Sequence, residues 1–90
     1  MAETHIHWTG IPDETVEAFD QILRIRISTN PEDPLGTLLI SADGFNESSL
    51  PLPNSISTEP AWTAVPGTSP ILEIRQDWHY PQDYIRVRTT

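Results

Sequence analysis

Apolar and polar residues alternate along several short stretches of this chain. In the clearest of them, Leu23, Ile25 and Ile27 alternate with Arg24 and Arg26. A period of two places the apolar side chains on one face of a β-strand and the polar ones on the other. The pattern therefore predicts half-buried strands, and a short apolar run adds a more central one. The predicted strands are residues 4–8, 23–28, 37–41, 71–75 and 84–88.

Turn-forming residues separate these stretches. Residues 30–36 contain two prolines, two acids and a glycine, and they connect the second predicted strand to the third. Short strands joined in this way favour an antiparallel hairpin. We expect a second hairpin, with a longer loop, between the last two strands.

After Pro12 the spacing of apolar residues changes. Val16, Phe19 and Leu23 fall at positions i, i+3 and i+7, which is typical of an amphipathic helix. Acids at the start of a helix are favoured by its dipole. The pattern predicts a short helix that starts at Pro12-Asp13-Glu14, runs for about nine or ten residues and covers one face of a sheet. The acidic surface of this helix would consist of Asp13, Glu14, Glu17 and Asp20.

A proline-rich segment covers residues 46–70. Five prolines interrupt serines, threonines and isolated apolar residues, so regular structure should be sparse. An irregular segment of this length is uncommon inside a compact domain. We expect it to be an arm or loop that becomes ordered on a partner chain or on a second copy of the protein.

The length of 90 residues is that of a single domain with one core. Together these patterns predict a mostly β (α+β) fold. We expect a small antiparallel sheet, sandwich-like or barrel-like, with about five strands, one short helix and a long proline-rich loop.

Charge narrows the range of partners. Thirteen acids stand against five arginines and no lysine, which gives a net charge of −8. Such a charge repels phosphate backbones and anionic lipids. We therefore expect a protein partner or a homo-oligomer, and neither nucleic acid, nor a membrane, nor a small-molecule substrate. The N-terminal residues lack the pattern of a secretory signal, so we expect a cytoplasmic or virion location.

The sequence contains no recognisable catalytic motif. It has no cysteine, no glycine-rich phosphate loop and no Gly-x-Ser-x-Gly motif. His5 and His7 would share one face of a strand, and His79 could complete a three-histidine metal site. Because two ligands near a terminus are a weak signal, we predict no metal, no other cofactor and no enzymatic activity.

Aromatic residues cluster towards the C-terminal third of the chain. Tryptophan and tyrosine are frequent at the centres of protein interfaces, although a small domain also uses them in its core. Together with two apolar residues of the proline-rich segment they form the predicted partner-binding set. Its members are Leu52, Ile56, Trp62, Trp78, Tyr80 and Tyr84.

These observations favour a non-enzymatic binding or assembly module. Such a module would be a small structural, decoration or adaptor component of a larger particle, for instance a phage or viral virion. One alternative is an acidic inhibitor that mimics nucleic acid and blocks a basic protein surface. A third hypothesis is a metal-dependent enzyme that uses the three histidines.

Overall fold

The computed structural model describes residues 2–28, 37–51, 61–77 and 84–89. These residues form eight β-strands and no helix, so none of them belongs to a helix long and apolar enough to cross a lipid bilayer. The strands are β1 (Glu3–His7), β2 (Asp13–Ala18), β3 (Gln21–Ile27), β4 (Thr37–Ser41), β5 (Ser48–Pro51), β6 (Thr63–Val65), β7 (Leu72–Arg75) and β8 (Tyr84–Thr89).

The strands are arranged in two antiparallel sheets of four. The first sheet has the order β1-β8-β7-β6, and the second has the order β2-β3-β4-β5. The predicted mostly β character is therefore confirmed. The five predicted strands are present as β1, β3, β4, β7 and β8, and both predicted hairpins, β3-β4 and β7-β8, are formed.

Buried residues of both sheets belong to one hydrophobic cluster. In β3 the buried positions are Leu23 and Ile25, and in β7 they are Leu72 and Ile74, as the period of two requires. Trp8, at the end of the first predicted strand, packs against the edge of this cluster. The inward faces of the two sheets therefore supply the core.

The helix predicted to start at Pro12-Asp13-Glu14 is wrong, because residues 13–27 form a hairpin of β2 and β3. Its two-residue turn is Phe19–Asp20, and both residues have positive φ, at 51° and 62°. Positive φ at both central positions is the type I′ geometry that suits the twist of a hairpin. In β2, Val16 and Ala18 lie on the side that contacts the core. The i, i+3, i+7 spacing combines residues of different elements, because Val16 lies in β2, Phe19 in the turn and Leu23 in β3.

The proline-rich segment contributes two of the strands. β5 and β6 both lie within residues 46–70, and they bury Leu50 and Val65 in the core. The hydroxyl of Ser48 donates a hydrogen bond to the carbonyl of Ala64 at 2.7 Å. This bond joins the edge strand of one sheet to the edge strand of the other. Parts of the segment predicted to be an arm therefore pack on the chain's own sheets.

Candidate interaction surface

Three chain connections lie together at one end of the sheets, which we call the loop end. They are the Phe19–Asp20 turn, residues 42–47 between β4 and β5, and residues 66–71 between β6 and β7. Direct contacts hold these connections against one another. The loop end is therefore one connected surface rather than three independent loops.

Gln21 joins the first connection to the third. Its side-chain nitrogen donates to the carbonyl of Pro70 at 2.9 Å, and its side-chain oxygen accepts from the amide of Ser69 at 2.9 Å. One amide group thus satisfies both a donor and an acceptor of the neighbouring loop backbone. This paired bond fixes the position of residues 66–71 relative to the β2-β3 hairpin.

The second connection is organised by the carboxylate of Asp43. One carboxylate oxygen accepts from the backbone amides of Phe45 at 2.8 Å and Asn46 at 2.9 Å, and the other accepts from the Asn46 side chain at 2.8 Å. These bonds lower the pKa of Asp43 to about 2, and the bond from the backbone amide of Asn46 contributes most to this shift. Gly44 has a φ of +80°, which allows the sharp turn. The tip that carries Phe45 is therefore well ordered by local hydrogen bonds.

The second and third connections also touch. A Cβ atom placed on Gly67 would lie 3.6 Å from a carboxylate oxygen of Asp43, and Gly67 has a φ of +83°. Within the third connection, the buried hydroxyl of Thr68 donates to the carbonyl of Val65 at 2.7 Å and accepts from the amide of Leu72 at 2.9 Å. This hydroxyl closes the turn between β6 and β7.

Large apolar side chains are exposed around these braced loops. Phe45 is 89% exposed at the tip of the second connection, Ile71 is 44% exposed after the third, and Ile22 is 65% exposed at the start of β3. Phe45 is not among the binding residues predicted from the sequence. Its only sequence signal is an isolated aromatic residue directly after an Asp-Gly turn.

All five arginines form ion pairs within the fold. In the second sheet, bidentate hydrogen bonds hold Arg24 against Asp13 and Arg26 against Glu47. The positive charge of each of these two arginines is therefore paired with a carboxylate. These bonds lower the pKa of both carboxyl groups and raise the pKa of both guanidinium groups. The pairs in the first sheet are Arg75–Asp77, Arg86–Asp77, Arg86–Glu3 and Arg88–Glu73.

Three of these arginines surround Trp62, which precedes β6. The guanidinium carbons of Arg75, Arg86 and Arg88 lie 5.0, 5.3 and 4.1 Å from the centre of the Trp62 ring. These distances are those of cation–π contacts. Arg86 also donates to Asp77, whose side chain is only 1% exposed. Trp62 is therefore half-buried in a network on the outer side of the first sheet.

The structure describes two of the six predicted partner-binding residues. Trp62 contacts Arg86, and Tyr84 lies two residues before Arg86 in β8, so both belong to the outer side of the first sheet. The ring of Tyr84 stacks on His7, with 4.9 Å between ring centres. The other four residues lie outside the described ranges. They are Leu52, Ile56, Trp78 and Tyr80.

The four acids of the predicted helical surface do not share one face. Asp13 and Glu17 lie on the outer side of β2, whereas the Glu14 carboxylate accepts from the backbone amide and hydroxyl of Thr9 at 2.7 and 3.0 Å. Asp20 occupies the hairpin turn. The correction follows from the absence of the helix, because alternate residues of a strand face opposite sides.

The histidines of the metal hypothesis are only partly described. His5 and His7 lie on the same side of β1, and His79 lies outside the described residues. Across residues 2–28, 37–51, 61–77 and 84–89, no group of three or more metal-ligating side chains is close enough to hold an ion.

The geometry thus defines an all-β protein in which two four-stranded sheets support a braced, partly apolar loop end. No model of a known protein family matches the chain, and a search of curated proteins and of solved structures finds no match either. Any function proposed for the chain therefore rests on its own geometry and charge.

Proposed function

We propose that the protein is a non-enzymatic binding or assembly module that attaches one protein to another. The observation that supports this proposal is the nearly complete exposure of Phe45 on a loop held by Asp43. Exposing an aromatic ring to water is unfavourable, and burying it against a partner recovers that free energy.

The bracing of the loop end supports the same function. A loop that is already ordered loses little conformational entropy on binding, so more of the contact free energy contributes to affinity. Gln21, Asp43 and Thr68 each fix part of this surface by hydrogen bonds to backbone groups. In this proposal the two sheets form a sandwich-like support, and the module is a decoration or adaptor component of a larger particle.

The nucleic-acid mimic receives less support from the described residues. A mimic needs carboxylates that follow one another along a continuous surface, as phosphates do. Asp13 is paired with Arg24, and Glu14 faces the opposite side of β2 from Glu17. The acids in this part of the chain are therefore divided among separate surfaces.

The proposal is tested by the mass of the protein in its native state. Material isolated gently from the cells that produce it should elute in light-scattering chromatography as a complex of constant stoichiometry. Mixing the purified components should rebuild this complex, and the Phe45→Ala variant should be tested beside the wild type. A protein that is isolated only as a 10.1 kDa monomer at every salt concentration would contradict the proposal.

A further inference from the structure

We propose that the loop end docks onto a different protein by inserting Phe45 into an apolar pocket that is bordered by lysine or arginine. This inference rests on the proposed function and specifies the chemistry of the partner. It combines the exposed aromatic ring with the negative charge of the loop end and the adjoining hairpin.

The position of Phe45 suits insertion into a pocket. Its backbone amide and that of the following Asn46 both donate hydrogen bonds to Asp43, so the backbone that carries the ring is held in place. The side chain is 89% exposed, which leaves nearly its whole surface available to a partner. Aromatic rings that enter a pocket at the centre of an interface often dominate the affinity.

The three connections of the loop end contain acids but neither lysine nor arginine. Asp20 lies in the turn itself, and Glu17, in the adjoining strand β2, pairs across the hairpin with exposed Ile22. Neither acid takes part in an ion pair within the described ranges. The nearest arginines along this hairpin are Arg24 and Arg26, and both are bound to acids. A partner with positive charge around its pocket would therefore be complementary to this surface.

A second copy of this chain does not provide that complement. The protein contains no lysine, and each of its five arginines is held by an acid within the fold. Two copies meeting at their loop ends would bring two acidic surfaces together. Like charges in contact disfavour such a dimer. The occupant is therefore a protein of different, basic surface chemistry.

The experiment replaces Phe45 with the photoreactive amino acid benzoylphenylalanine in the cell that produces the protein. Position 11 carries the same probe in a control, because Ile11 is also exposed, at 55%, but lies near the opposite end of β3, where Ile27 donates to the carbonyl of Pro12. Illumination should give a defined adduct from position 45 and none from position 11. The crosslinked peptide of the partner should contain apolar residues flanked by lysine or arginine.

Binding to the purified partner then tests both parts of the inference. Phe45→Ala should weaken binding by at least about 30-fold, and Ile11→Ala should leave it unchanged within about twofold. The pair Glu17→Gln/Asp20→Asn should slow association several-fold, and added salt should do the same to the wild type.

Each contrary result identifies what has failed. An adduct from position 11 alone, or a partner that binds Phe45→Ala with unchanged affinity, would contradict the docking inference but leave the binding function intact. An adduct between two copies of the chain, or a partner site without basic residues, would also contradict the inference. No adduct at either position, together with a protein that is isolated only as a monomer, would contradict both proposals.

Discussion

At the scale of single residues, the Asp43 carboxylate determines the shape of the connection that carries Phe45. Three hydrogen bonds converge on its two oxygens, and each is stronger when the group is ionised. The same bonds explain why its pKa falls to about 2 from the ordinary value of 3.8. The order of the loop is therefore coupled to the ionisation of this one group.

This coupling makes the loop sensitive to acid. Because the folded pKa of Asp43 lies below its unfolded value, the carboxylate contributes its full stabilisation above about pH 4 and loses it as the pH falls towards 2. We predict that the amide signals of Phe45 and Asn46 in NMR spectra shift together with a midpoint of about 2. In the Asp43→Ala variant this transition should be absent. A midpoint near the ordinary value would show that the loop is not held by the carboxylate.

Thr68 is a second residue with a defined structural effect. Its buried hydroxyl bonds to the carbonyl of Val65 and the amide of Leu72, and valine has nearly the same shape but can form neither bond. We predict that Thr68→Val lowers the free energy of unfolding by about 1–3 kcal/mol, measured by urea denaturation. The matched control is Thr63→Val, because the Thr63 hydroxyl makes only a 3.4 Å bond to Ala61 in an exposed position. Equal stabilities of the two variants would contradict this role for Thr68.

Most of the candidate site could not be predicted from the sequence. Trp62 and Tyr84 could be selected because their residue types are common at interfaces, but their contacts with Arg86 and His7 depend on strand register. Phe45 was missed because exposure is decided by the tertiary structure. A single aromatic residue between polar neighbours fits a core position and an exposed tip equally well.

At the scale of elements, the spacing of apolar residues predicts a helix where the structure has the β2-β3 hairpin. Type I′ turns usually contain asparagine or glycine, which tolerate positive φ, whereas this turn consists of Phe19 and Asp20. Without that signal, apolar residues of two adjacent strands were combined into one helical pattern. The strand is nevertheless encoded locally, because Val16 and Ala18 alternate with polar residues.

The turn offers a direct test of this explanation. Glycine adopts positive φ without a steric penalty, so Asp20→Gly should relieve strain at a φ of 62°. We predict that this substitution raises the free energy of unfolding by about 0.5–1 kcal/mol, because the steric relief exceeds the extra chain entropy that glycine adds to the unfolded state. Glu17→Gly also removes one negative charge, but it lies within β2 and should lower stability by about the same amount. Destabilisation by both substitutions would show that the turn is not strained.

The other missed elements are β5 and β6. β5 ends at Pro51, and proline is tolerated at the edge of a sheet, where β5 lies. β6 has only three residues and precedes Pro66. Local patterns are too short to reveal such strands, and they form because Leu50 and Val65 complete the core. By contrast, the long alternation of β3 and β8 was sufficient to identify those strands from the sequence.

At the scale of the whole molecule, the pairing of every arginine determines what the surface can bind. Arginine releases counterions from nucleic acid only when its guanidinium group is free to contact phosphate. Here each guanidinium group already contacts a carboxylate, and the remaining charge is −8.

We therefore predict no measurable binding to a fluorescent DNA duplex at about 150 mM salt in an anisotropy titration. Anionic lipid vesicles should give the same result for the same electrostatic reason. The variant Glu17→Lys/Asp20→Lys adds two exposed cations. It tests whether local positive charge is enough to produce binding to DNA. Micromolar affinity of the wild-type protein would contradict the proposed role of the arginine pairs.

The strand order of the first sheet has a consequence for synthesis on the ribosome. β8 is the last of the described strands in sequence order, yet it lies between β1 and β7 and is the ladder partner of β1. The strands of the second sheet, by contrast, pair in the order in which they are made. We expect the second sheet to form during translation. β1, by contrast, cannot pair until β8, which is far away in the sequence, has been made. The apolar face of β1, which includes Ile6, then has no ladder partner until residues 84–89 have been made.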